Sequence, residues 1–162
     1  MEASRDDRRV NLAGTIYGTV IATALVAGLS EDPDLSPGEI AVSMLSTMAA
    51  FWIAHAYAEL LAGEGTDGRL PSLRAMRHAL GREWALVQAA GPATLALLAG
   101  EVGLVSGHAS EQIAIWLGLV ALAGWGWVLA RQNRLSVARA LLVSLASGAL
   151  GVVVVLVKLA VD

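Results

Sequence analysis

The chain has 162 residues, 56% of them apolar and only 15% charged, where soluble domains average about 45–50% and about 25%. A mean hydropathy of +0.64 excludes disorder, and a net charge of −3 leaves no phosphate-seeking surface for nucleic acid. With no cysteine, disulfides, thiolate metal sites and cysteine nucleophiles are excluded too.

A stretch of about 20 apolar residues rising 1.5 Å each crosses a hydrocarbon core of about 30 Å. Residues 11–30, 40–62, 84–105, 111–130 and 136–160 each qualify. Soluble amphipathic helices carry charge along one face, and these stretches carry almost none on any face. The expected fold is therefore all-α: one polytopic transmembrane bundle of five helices over residues 1–162. The first stretch is longer than the apolar run of about 7–15 residues in a secretory leader, and it is read as a retained helix.

Within it, Gly14, Gly18 and Ala22 form a small-residue strip at four-residue spacing, the kind that lets another helix approach closely. Thr15, Thr19 and Thr23 run beside the strip, with hydroxyls that can bond their own backbone or a neighbour. Ile16, Val20, Thr23 and Ala27 occupy another face, which either touches lipid or lines a narrow apolar conduit gated by dewetting.

The following connection, 31–39, is acidic and holds two prolines, which stop one helix and start the next. In the second span Trp52, His55 and Glu59 stand at i, i+3 and i+7 and share one face. Tyr17 falls near the depth of His55, and Gln88 of the third span falls between His55 and Glu59. Ionisable groups at such depth face a bundle interior or a watery cavity. Three readings stay open: a proton relay, a cation site, or an interhelical network. Glu59 reaches the inner interface, where Arg82 and Arg139 are candidate partners.

Residues 71–80 place Leu73, Met76 and Leu80 on one helical face and Arg74, Arg77 and His78 elsewhere, as a short helix lying on an anionic leaflet would. Gly63, Gly65 and Gly68 match the dinucleotide spacing, but no strand–helix–strand unit surrounds them. Pro92 lies inside the third span, where neighbouring helices can re-satisfy the backbone. Glu101 lies toward its outer end. Tyr57, Trp84, Trp125 and Trp127 suit an interfacial aromatic belt. His78 and His108 have no partner at ligand spacing. No nucleophile elbow, zincin motif or Walker loop occurs, so neither catalysis nor a cofactor nor a metal is expected.

Charge gives the orientation. All 11 basic residues lie in connections or at helix ends. Arg5, Arg8 and Arg9 precede the first span; Arg69, Arg74, Arg77 and Arg82 join the second to the third; Arg131, Arg134 and Arg139 surround the last connection. Only Lys158 stands at the far end. The positive-inside rule then places the N-terminus in the cytoplasm and the C-terminus outside, in a multi-pass protein of the cell membrane.

Two short stretches resemble the endolysosomal potassium channels and their bacterial relatives. In that family an arginine, three residues and Phe-Ser-Asp open the first helix; here Arg9 is followed three residues later by Ala13-Gly14-Thr15, then by an apolar run containing Val20-Ile-Ala-Thr23. The family's second helix carries a tryptophan with a histidine on the next turn, as in Phe51-Trp52-Ile-Ala-His55. The resemblance covers the first two spans. It implies an oligomeric cation channel lined by the first helix, with Val20 at the constriction, Thr23 one turn outward, and Arg9, Trp52 and His55 bracing that helix. The family repeat has six helices, against five read here.

The functional expectation is a homo-oligomer in the lipid bilayer that passes a monovalent cation, potassium in the family it resembles, along an axis of first helices. A proton-coupled small-molecule carrier using Tyr17, His55 and Glu59, and a scaffold or accessory subunit that transports nothing, are the alternatives.

Overall fold

Apolar runs rich in Ala, Leu and Val must satisfy every backbone group internally once they leave water, and a helix does so within one segment. The computed structural model describes residues 3–64 and 72–161, with side chains described for 12–62 and 72–157. The elements are α1 (Ala3–Leu29), α2 (Pro37–Glu64), α3 (Leu73–Arg82), α4 (Trp84–Gln88), α5 (Gly91–Glu101), α6 (Gly107–Gln132) and α7 (Val137–Val161). Four segments, Leu12–Leu29, Pro37–Ala62, Gly107–Gln132 and Val137–Val157, are long and apolar enough to cross a membrane. The chain is a multi-pass helical membrane protein.

The expected third span is not one helix. It divides into α4 and α5 at Ala89 and Ala90, because Pro92 has no N–H to offer the carbonyl of Gln88 and its ring crowds that carbonyl. The Ala90 N–H bonds the Val87 carbonyl instead, at 3.1 Å. Ala89 and Ala90 keep right-handed helical dihedrals (φ −62° and −77°), so the hydrogen-bond ladder is interrupted without the chain turning back. The segment also stops at Glu101, short of residue 105. Gly103 there takes φ +76°, and Gly103 and Leu104 donate to the carbonyls of Gly100 and Ala99 at 3.0 and 2.9 Å, which is a Schellman closure. Arg134 closes α6 the same way at φ +56°, with Leu135 donating to the Ala130 carbonyl at 3.0 Å.

Starts are capped as well. Ser36 and Glu39 form a reciprocal capping box at α2: the Glu39 carboxylate accepts from the Ser36 N–H at 2.8 Å, and the Ser36 hydroxyl accepts from the Glu39 N–H at 3.2 Å. Ser72 and Ser106 cap α3 and α6.

α1 is the central helix, packed by α2, α4, α6 and α7. Around it Val26, Ile40, Met44, Met48, Leu86 and Leu97 are fully buried. Close approach comes from missing side chains. A Cβ on Gly18 would run into the Leu86 carbonyl and the Ala89 methyl of α4, and one on Gly118 of α6 would overlap the Thr23 side chain. The strip of Gly14, Gly18 and Ala22 is thus spent inside the chain, where α4 lies against its glycines. Buried hydroxyls are satisfied locally: Thr19 donates to the Thr15 carbonyl at 2.8 Å and Thr23 to the Thr19 carbonyl at 2.7 Å. α7 joins the bundle through α6 and α1, aided by the Ser144 hydroxyl donating to the Ala123 carbonyl at 2.7 Å. Its outward face of leucines and valines is left exposed, as a lipid-facing surface is.

Candidate functional site

Most intramembrane polar groups with side-chain partners gather at the C-terminal end of α2. Trp52 anchors the group: its indole N–H donates to the Leu80 carbonyl of α3 at 2.8 Å, and its ring meets Trp84 of α4 edge-on at 5.3 Å. One turn on, the His55 ring lies 5.5 Å from the Tyr17 ring of α1, inclined by 45°. A further turn on, Glu59 pairs with Arg82 at 2.6 Å. The i, i+3, i+7 spacing of Trp52, His55 and Glu59 presents three different polar surfaces to α3, α1 and the α3–α4 junction. Arg139 is not the partner of Glu59.

The group is only partly enclosed. His55 is exposed, and Tyr17 and Trp84 are 43% and 45% exposed. The ion pair is about one-third exposed (37% for Arg82, 32% for Glu59), yet Glu59 Oε2 and Arg82 Nε are buried atoms without a hydrogen-bond partner. Gln88, on α4, is exposed. The backbone of Arg9 is helical within α1, while its side chain lies outside the described residues, as do those of Arg5, Arg8, Arg69 and Lys158 and the positions of Gly65 and Gly68.

The four residues of the first-helix face differ in burial within the chain. Thr23 and Ala27 are 2% and 1% exposed, with Thr23 pressed on Gly118 of the same chain. Both are enclosed within the single chain, Thr23 on the side of α1 that α6 covers. Ile16 and Val20 keep part of their surface, and Ile16 borders a cavity shared with Leu129 and Asn133 of α6.

At the other end of α2, the Glu101 carboxylate accepts from the Gly38 N–H at 2.8 Å. It caps α2 from the end of α5. This link, the Trp52–Trp84 contact and the α4–α5 break were all missed from sequence. Pro92 and Gly103 were the available signals for the break and the early stop. Nothing local marks a pairing between residues 63 positions apart. Among the described residues no group of three or more His, Cys, Asp or Glu could hold a metal ion. The chain matches no protein-family model, no curated protein and no solved structure.

Proposed function

We propose that this is a five-span, homo-oligomeric protein of the cell membrane, N-terminus inside, that passes a monovalent cation, H⁺ included, along a seam formed by Tyr17, His55 and the Glu59–Arg82 pair. The fifth crossing is α4–α5. It is supported by Arg82 pairing with Glu59 at one end and Glu101 capping Gly38 at the other, since Gly38 and Glu59 lie about 31 Å apart along α2 at 1.5 Å per residue. That is the thickness of a hydrocarbon core. Orientation rests on the arginines at one set of ends.

The observation carrying the pathway is the exposed Tyr17–His55 pair at membrane depth. An imidazole and a phenol facing hydrocarbon are costly, so a second copy or a water-filled cleft covers them. α1 still contributes, through Tyr17 rather than through Val20 and Thr23. In proteoliposomes the protein passes H⁺ or K⁺ faster than empty vesicles, His55→Ala lowers that flux at least about tenfold, and Val20→Ala leaves it unchanged. Flux equal to that of empty vesicles removes the pathway. Increased flux in Val20→Ala restores the first-helix axis in its place.

One observation favours the carrier reading: the α4–α5 break lies against Thr19, Thr23 and Gly118 at a small cleft, and discontinuous helices build carrier sites. A carrier shows saturable, counterflow-stimulated uptake; flux linear in the gradient rejects it.

A further inference from the structure

α3 divides its surface three ways. Ala75, Ala79 and Leu80 pack on Ala56 and Leu60 of α2. Leu73 and Met76 remain 81% and 41% exposed, although no water-soluble helix gains from showing them. Arg74, Arg77 and His78 fill the rest, all exposed. Of the arginines on α3, Arg82 is neutralised by Glu59, while Arg74 and Arg77 have no ion-pair partner among the described residues.

Between α3 and the end of α2 lies a cavity of about 450 Å³, walled by Glu59, Leu60, Ser72, Arg74, Ala75 and His78. The volume falls within the range of about 300–1,000 Å³ typical of small-ligand sites. Its polar wall offers the Arg74 guanidinium, the His78 imidazole and the Ser72 hydroxyl as donors to phosphate oxygens, and the Glu59 carboxylate in the same wall is paired with Arg82. Beside Leu60 on α2, Ile53, Tyr57 and Leu61 repeat every four residues and are 58%, 58% and 53% exposed. They form an exposed apolar strip on α2 next to Leu60, which lines the cavity, with a phenol at the level where phenols sit in headgroups.

We infer that this cavity is a binding site for the phosphate headgroup of an anionic phospholipid, whose acyl chains run past Tyr57 toward Ile53. A free phosphate would use the donors alone; the strip and the exposed Leu73 and Met76 select the lipid. The site rests on the membrane assignment; it shares Glu59 with the proposed cation pathway, whereas Arg74 and His78, the residues varied below, belong to the cavity alone.

Native mass spectrometry of the full chain, released from mild detergent, tests it with phosphatidylglycerol, phosphatidylcholine of the same acyl chains, and inorganic phosphate. Phosphatidylglycerol stays bound in preference to phosphatidylcholine, and millimolar phosphate does not displace it. Arg74→Ala lowers that preference about fivefold and Arg74→Lys retains most of it, while Arg139→Ala, outside the cavity wall, has no effect. Circular dichroism and thermal unfolding of each variant match the parent chain, since Arg74 is exposed. Equal retention of both lipids overturns the site, as does a preference that survives Arg74→Ala with His78→Ala. Displacement by phosphate alone overturns the lipid assignment.

Discussion

The two ends of α2 are held by different chemistry. At the N-terminal end, carboxylates and hydroxyls are spent on backbone: Ser36 with Glu39, Glu101 on the Gly38 N–H, Ser110 on the Gly107 carbonyl at 2.6 Å. At the C-terminal end, side chain meets side chain: Tyr17 with His55, Trp52 with Trp84, Glu59 with Arg82. Backbone partners cannot leave, so the first arrangement closes helix ends permanently. The second leaves an imidazole, a phenol and an ion pair partly open to their surroundings.

The sharpest way to break this contrast is Gly18→Leu. Its side chain has no room beside Leu86 and Ala89, so α4 must move and carry Trp84 off Trp52. A loss of about 3 kcal/mol, read by denaturant unfolding in detergent, accompanies a shifted tryptophan emission, while Gly14→Ala, with 3.8 Å of clearance to Ala85, is tolerated. Next is Arg82→Ala, which leaves Glu59 charged and unpartnered; the loss is about 2 kcal/mol. Coupling between the two residues in a double-mutant cycle is about 1 kcal/mol, because the pair is partly exposed. At the opposite end, Ser36→Ala removes one half of the capping box and costs about 1 kcal/mol. Glu101→Gln costs about 0.5 kcal/mol, since an amide oxygen still accepts from Gly38 but the charge facing the helix dipole is gone. If the two ends respond alike in size and in tryptophan signal, the contrast between them is superficial.

Charge and apolar run length made four crossing helices and their polar interruptions legible, because lipid imposes a length and excludes charge. The same criterion hid the division of residues 84–105. Run length counts apolar side chains, whereas Pro92 and Gly103 act on the backbone ladder. The small strip on α1 was readable as a close-approach surface, but its partner lies some 70 residues onward, where Ala85 and Ala89 repeat the four-residue spacing and meet Gly14 and Gly18. Depth counting placed Tyr17 and His55 at one level, since both helices have a fixed rise. It could not place Thr23, whose burial depends on where α6 returns. Arg82 rather than Arg139 meets Glu59 because the short α3 ends where α4 begins, a geometry set by the connection and not by charge.

The central position of α1 also sets the order of events during synthesis. It leaves the ribosome before α2, α4, α6 and α7, which pack against it, so it must wait in the membrane without its final neighbours. Thr19 and Thr23 bond carbonyls of their own helix, so neither of these two hydroxyls seeks an outside acceptor while the other helices arrive. Those two positions are thus already suited to lipid, and can later be enclosed without exchanging either hydroxyl bond.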